Sequence, residues 1–158
     1  MRPALAAPLA VGLLLVGLAG GCTDDDAVAT VPGVRVVEVV MTEMAFEPSS
    51  FTFRAGETVE FRFENRGRER HEAVIGDEAA QRAAVAAMEE MDRKAGGPGR
   101  ARRGRAHPGM GLPNVISLEP GEKGSITFLF SKPGRLLMQC HEPGHLEGGM
   151  TATITITP

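Results

Sequence analysis

Hydrophobic and polar positions alternate with a period of two over much of the chain. Between Thr58 and Arg66 the residues Val59, Phe61 and Phe63 interleave with Glu60, Arg62 and Glu64, which predicts a strand with one buried and one wetted face. The same alternation recurs in Ile126, Phe128 and Phe130, and in Ala152, Ile154 and Ile156 against Thr151, Thr153, Thr155 and Thr157. Val34 to Val40 is nearly all β-branched and apolar, which predicts a further strand. Ala55-Gly56, Pro120-Gly121 and Pro133-Gly134 punctuate these segments as turns. Short alternating strands with such punctuation predict an all-β, antiparallel sandwich.

One segment departs from this period. Glu78 to Lys94 is rich in Ala, Glu, Gln, Arg and Met, and Asp77 stands where a helix cap belongs. It predicts a helix inserted between strands. Gly96-Gly97-Pro98-Gly99 ends it, and Arg100, Arg102, Arg103 and Arg105 follow in a loop read as solvated, with docking of an acidic partner or lipid headgroup as the alternative. The insert spans residues 77–113.

The chain has 158 residues, which suits one domain and an export segment. Arg2, an apolar run from Leu9 to Leu18 and the small residues Ala19, Gly20 and Gly21 read as a signal over residues 1–21, too short in its apolar core to span a membrane. Leu18-Ala19-Gly20-Gly21-Cys22 resembles a bacterial lipobox, which makes Cys22 the lipidated first residue; ordinary cleavage releasing a soluble protein is the alternative. Residues 22–33 then form a linker and residues 34–158 the domain. This places the protein outside the cytoplasm, in the cell envelope. Lys and Arg total 17 against 20 Asp and Glu, a net charge of -3, so nucleic acid is not an expected partner. The domain is expected to be monomeric.

Candidate chemistry is concentrated near the C-terminus, in Cys140-His141-Glu142-Pro143-Gly144-His145-Leu146-Glu147-Gly148-Gly149-Met150. One thiolate, two imidazoles and a weak thioether suit copper cycling between Cu(I) and Cu(II). Cys140 ends a strand, Pro143-Gly144 folds the chain back, and His145 returns to the same metal. Met150 shares parity with Ala152, Ile154 and Ile156, and Cys140 with Leu136 and Met138, so both sulfurs point inward. The histidines are His71, His107, His141 and His145. His71 shares the parity of Ala73 and Ile75 on an apolar face and is the expected remote ligand, whereas His141 should face away from Cys140 and be exposed. Of the two cysteines, Cys22 and Cys140, a bridge is not expected, because a bound metal protects a lone thiol. Met88, Met91, His107 and Met110 are candidates for an auxiliary Cu(I) site, against the alternative that the helix methionines simply pack on the sandwich.

The spacing Cys140-x4-His145-x4-Met150, with His71 upstream, resembles the cupredoxins, closest to their rusticyanin and sulfocyanin branch and to exported copper-tolerance proteins. The resemblance covers roughly residues 34–158 and implies a Greek-key sandwich holding one type 1 (blue) copper ion. It implies electron transfer with a redox partner in the envelope, through the exposed edge of His145 ringed by Pro143, Gly144, Leu146 and Gly148. The alternative is copper homeostasis, with a copper donor or acceptor as partner. Many members carry Asn directly after the first His ligand as a hydrogen-bonding brace; Glu72 stands there. An enzyme is not expected, since no His-x-His pair exists to build a trinuclear centre, and Gly144 replaces the second Cys of a dinuclear one.

Overall fold

The computed structural model describes residues 33–97, 107–108 and 112–158. The strands are β1 (Val34–Thr42), β2 (Ala45–Glu47), β3 (Ser50–Arg54), β4 (Thr58–Asn65), β5 (His71–Gly76), β6 (His107–Pro108), β7 (Val115–Leu118), β8 (Lys123–Leu129), β9 (Gly134–Gln139) and β10 (Thr151–Thr157), with α1 (Glu78–Lys94) between β5 and β6. They form a four-stranded sheet in the order β2-β1-β4-β8 and a six-stranded sheet in the order β3-β10-β9-β5-β7-β6. The strand order, with chain segments crossing from one sheet to the other, is that of a Greek-key sandwich.

The pairing is not wholly antiparallel, contrary to the expectation drawn from the short alternating strands. β1 and β4 run parallel from Val34↔Thr58 to Met41↔Asn65, and β10 and β3 run parallel from Thr153↔Ser50 to Thr157↔Arg54. The reason is the route between them. After β2 the chain crosses to the second sheet as β3, then returns to the first as β4, so β4 re-enters alongside β1 in the same direction. A period of two records which face is buried but not strand direction.

The alternating positions meet between the sheets. Val59, Phe61, Phe63, Ala152, Ile154 and Ile156 are all buried in one cluster with Phe46, Phe51, Phe53, Ile126 and Phe130. Phe53 stacks on Phe130 at 4.7 Å, and the ring of Phe61 stands edge-on to Phe51 and Phe53 at 5.6 and 5.7 Å. Such offset and edge geometries suit the ring quadrupoles.

The helix occupies residues 78–94 as predicted, and the Asp77 carboxylate accepts from the Ala80 backbone N–H at 2.9 Å. Its apolar stripe rests on the outer face of β5, where Ala84 and Met88 pack with Val74 and Val115 in a second, smaller cluster. Gly76 permits this approach, because a Cβ there would lie 2.5 Å from Ala80 Cβ. Every residue of β5 is consequently buried: Ala73 and Ile75 face the sandwich, and Val74 faces the helix. Among the described residues no helix is long and apolar enough to cross a membrane. The signal, Cys22, the arginine cluster and Met110 lie outside the described residues.

Truncating Phe61 to alanine removes the ring at the centre of the aromatic cluster and is expected to cost about 3–5 kcal/mol of stability. The chain has no Trp or Tyr, so the check is urea unfolding followed by far-ultraviolet circular dichroism.

Candidate metal centre

Four segments converge at one end of the sandwich. His71 opens β5 and points inward with Ala73 and Ile75, all three fully buried. Cys140 follows β9 with the inward parity of Met138, and both are fully buried. The chain from Cys140 to Met150 then folds into successive turns, in which the backbone N–H of His145 donates to Glu142 O, that of Gly148 to Gly144 O and that of Met150 to His145 O. The Cys140 N–H donates to Met150 O at 3.2 Å and closes the loop at its base. Met150 is fully buried and leads into β10 on the face of Ala152, Ile154 and Ile156.

The turns aim His145 back at Cys140. His145 Nδ1 lies 3.4 Å from Cys140 Sγ and 3.2 Å from His71 Nδ1. The three potential ligand atoms all lie within 4.8 Å of one another, and all three residues are buried. First-row metals bind imidazole nitrogen at about 2.0–2.1 Å, which places two nitrogens on one ion about 3–3.5 Å apart. The observed spacing fits one ion held by His71, Cys140 and His145, and the donor set of thiolate and imidazoles is that of copper. The predicted cofactor, one type 1 copper, therefore matches the residues brought together.

Burial sets the protonation of these side chains. The Cys140 thiol is pushed up to about 12, chiefly by desolvation, with the backbone N–H groups of Glu72 and Glu142 pulling against it. The Glu72 N–H reaches Sγ at 3.3 Å. His71 is held below its ordinary value, first by burial and then by the neighbouring His145.

Several supporting residues carry no signal in the metal-ligand spacing. Arg70 and Glu142 form a bidentate ion pair, Nε to Oε1 and Nη2 to Oε2 at 2.9 Å each, with side chains only 14% and 9% exposed. It ties the residue before one ligand to the loop carrying the other two. Asn65 Nδ2 donates to Glu69 O and Leu118 O, and its Oδ1 accepts from Gly67 N. These two devices brace the segment leading to His71, where the family resemblance implies an Asn side chain at the position of Glu72. The charged residues beside the ligands were the available clue, since an Arg and a Glu flanking a buried motif tend to be buried as a pair.

Two expectations are corrected. The edge of His145 is not open, because the residue is 3% exposed and its Nε2 meets Glu69 Oε2 at 2.9 Å. Glu69 stands over a shallow depression of about 420 Å³ lined also by Arg70, Glu119, Glu142 and Pro143. His141 does turn away from the metal ligands but is half-buried rather than exposed, because its Nε2 meets Gln81 Oε1 of α1 at 2.8 Å. Burial holds its pKa below the ordinary value. Of the auxiliary set, Met88 is buried against Val74 and Val115, and Met91 packs at the margin of that cluster. The side chain of His107 and all of Met110 lie outside the described residues.

The profile of copper binding proteins of the plastocyanin/azurin family matches residues 34–157. The chain is 32% identical over 139 residues to the copper-resistant cuproprotein CopI of Pseudomonas aeruginosa, covering 78% of this chain and 77% of that one. It is 35% identical over 125 residues to CopI of Rubrivivax gelatinosus, covering 77% of this chain and 66% of the relative. Among solved structures, auracyanin B superposes with a TM-score of 0.59 at 28% identity, over 83% of this chain and 94% of that chain. Reduced auracyanin of Roseiflexus castenholzii gives 0.56 at 26% identity, over 78% and 97%.

Two outcomes follow for the site. A Cβ at Gly67 would lie 2.6 Å from His71 Nε2, so Gly67→Ala should displace that imidazole and weaken copper binding by roughly tenfold or more, the usual scale for disturbing a ligand's support; competition with a copper chelator reads it. Because burial raises the Cys140 thiol far above neutrality, binding copper as a thiolate must expel its proton, and His71, depressed by burial, adds none near neutrality. Affinity should therefore fall about tenfold for each unit of acidification around neutral pH. Calorimetry in buffers of different ionisation enthalpy should find one proton released per copper; none released would exclude thiolate ligation.

Proposed function

Because the chain belongs to the plastocyanin/azurin family of copper-binding proteins, we propose that it is an exported type 1 copper protein carrying electrons in the cell envelope. The observation that carries this reading is the convergence of His71 Nδ1, Cys140 Sγ and His145 Nδ1 in a buried, hydrogen-bonded frame. A set of ligands already positioned by the fold needs little rearrangement between oxidation states. When bound, copper supplies the one-electron chemistry; the protein's contribution is to hold the ligands. Met150, buried at the base of the loop, would add a weak thioether to this donor set, and the apolar surroundings would tune the potential. The chain acts as a carrier rather than an enzyme. Its partners are then a redox protein in the envelope and, through a lipid on Cys22, the membrane itself.

The similarity to two copper-resistant cuproproteins over three quarters of the chain favours a second reading, in which the domain buffers or delivers copper as part of tolerance. The two readings make opposite demands. An electron carrier keeps its metal through many cycles, whereas a donor must release it to an acceptor.

The assignment is tested by loading the purified domain with Cu(II) and recording its visible and electron paramagnetic resonance spectra. Wild type should show the intense thiolate-to-copper absorption, and Cys140→Ser should lose it entirely. Wild type without that band would sink the type 1 assignment. Electron self-exchange much faster than copper transfer to a chelator supports the carrier; the reverse order supports copper delivery.

A further inference from the structure

Gln81 of α1 reaches β5, β9 and, through His141, the ligand loop itself. It is only 5% exposed. Its Nε2 donates to Val74 O at 2.9 Å and to Leu137 O at 3.1 Å, with Gly76 O at 3.5 Å. Val74 lies on β5 three residues beyond His71, and Leu137 lies on β9 three residues before Cys140. The ladder between these strands is short, from Val74↔Gln139 to Gly76↔Leu137. A single amide from the insert thus spans the end of that ladder from outside the sandwich.

The surroundings of this amide fix its orientation. Carbonyl oxygens stand on one side and only accept, so the NH2 group must face them and Oε1 must face His141. His141 Nε2, 2.8 Å away, therefore carries a hydrogen and donates it. The imidazole next to Cys140 is held against the helix in one tautomer, turned away from the metal ligands. The backbone on the C-terminal side of the thiol is thereby tied to the helix, as β9 on its N-terminal side is through Leu137 O.

We infer that Gln81 is a positioning residue for the copper centre: through His141 and the carbonyls of Val74 and Leu137, the inserted helix sets the placement of the Cys140 thiolate. This rests on the type 1 reading above and assigns the helical insert a part in that site. The insert is then no detachable appendage, and deleting residues 77–113 would disturb the metal as well as any separate task of that segment. Supports of this kind around metal ligands are typically worth tenfold to a hundredfold in metal affinity.

The experiment uses the full domain loaded with copper and compares four variants with wild type, each checked for folding by far-ultraviolet circular dichroism. Gln81→Leu removes every hydrogen bond of the strut. His141→Leu removes only the link to the ligand loop and leaves the helix docked, so it stays informative if Gln81→Leu fails to fold. His141→Gln restores an N–H donor opposite Gln81. Met88→Ala loosens the helix packing without touching the strut. The expected result is a shifted thiolate-to-copper band, altered copper hyperfine splitting and about tenfold faster loss of copper to a chelator in His141→Leu and in any folded Gln81→Leu. His141→Gln should stay near wild type, and so should Met88→Ala. Unchanged spectra and copper loss in His141→Leu would overturn the inference, as would the same changes in Met88→Ala, which would reduce the effect to helix docking. A wild-type protein without the band would instead refute the copper assignment on which the inference stands.

Discussion

Two imidazoles and a thiol facing one another in the buried interior are the constraint on which the rest of this structure depends. His71 and His145 are 74 residues apart in sequence, yet their Nδ1 atoms stand 3.2 Å apart. Left to themselves, such groups would turn outward to solvent, because burying polar atoms against each other is costly unless a partner satisfies them. A cation is that partner. Without it the fold must hold the arrangement by other interactions, and most of the unusual features of this end of the molecule do so.

The holding is distributed. Burial of β5 on both faces removes the freedom of His71 at its root, since the sandwich packs Ala73 and Ile75 from within while the helix packs Val74 from without. The turns between Cys140 and Met150 satisfy several of their own backbone groups, which shapes the loop from within. The Arg70–Glu142 pair then fastens the first of these pieces to the second. A pair so sheltered contributes more to fixing geometry than to net stability, because desolvation offsets much of its attraction.

The parts legible in the sequence were those written in local periodicity or in the chemistry of residue types. The alternation in β4 and β10 marks the buried faces, and the capped helix has the predicted bounds, because both depend on neighbours within one element. The trio His71, Cys140 and His145 was legible because few other residues bind soft metals and their spacing allows a common target. What was hidden depends on packing between elements: the parallel pairing of β1 with β4, the Glu69 carboxylate over His145, and the contact of His141 with Gln81. No local pattern encodes that a glutamine on a helix will face a histidine 60 residues later. The expectation of an exposed His145 edge failed for the same reason, since Glu69 belongs to the segment before the other histidine ligand.

The double burial of β5 also has a kinetic side. A strand enclosed by a sheet on one side and a helix on the other has no route to solvent through small local fluctuations, so its amide hydrogens should exchange only when large parts of the domain open. His71 begins that strand. The residence of a metal at such a ligand is then tied to the opening of the whole fold rather than to the motion of a surface loop.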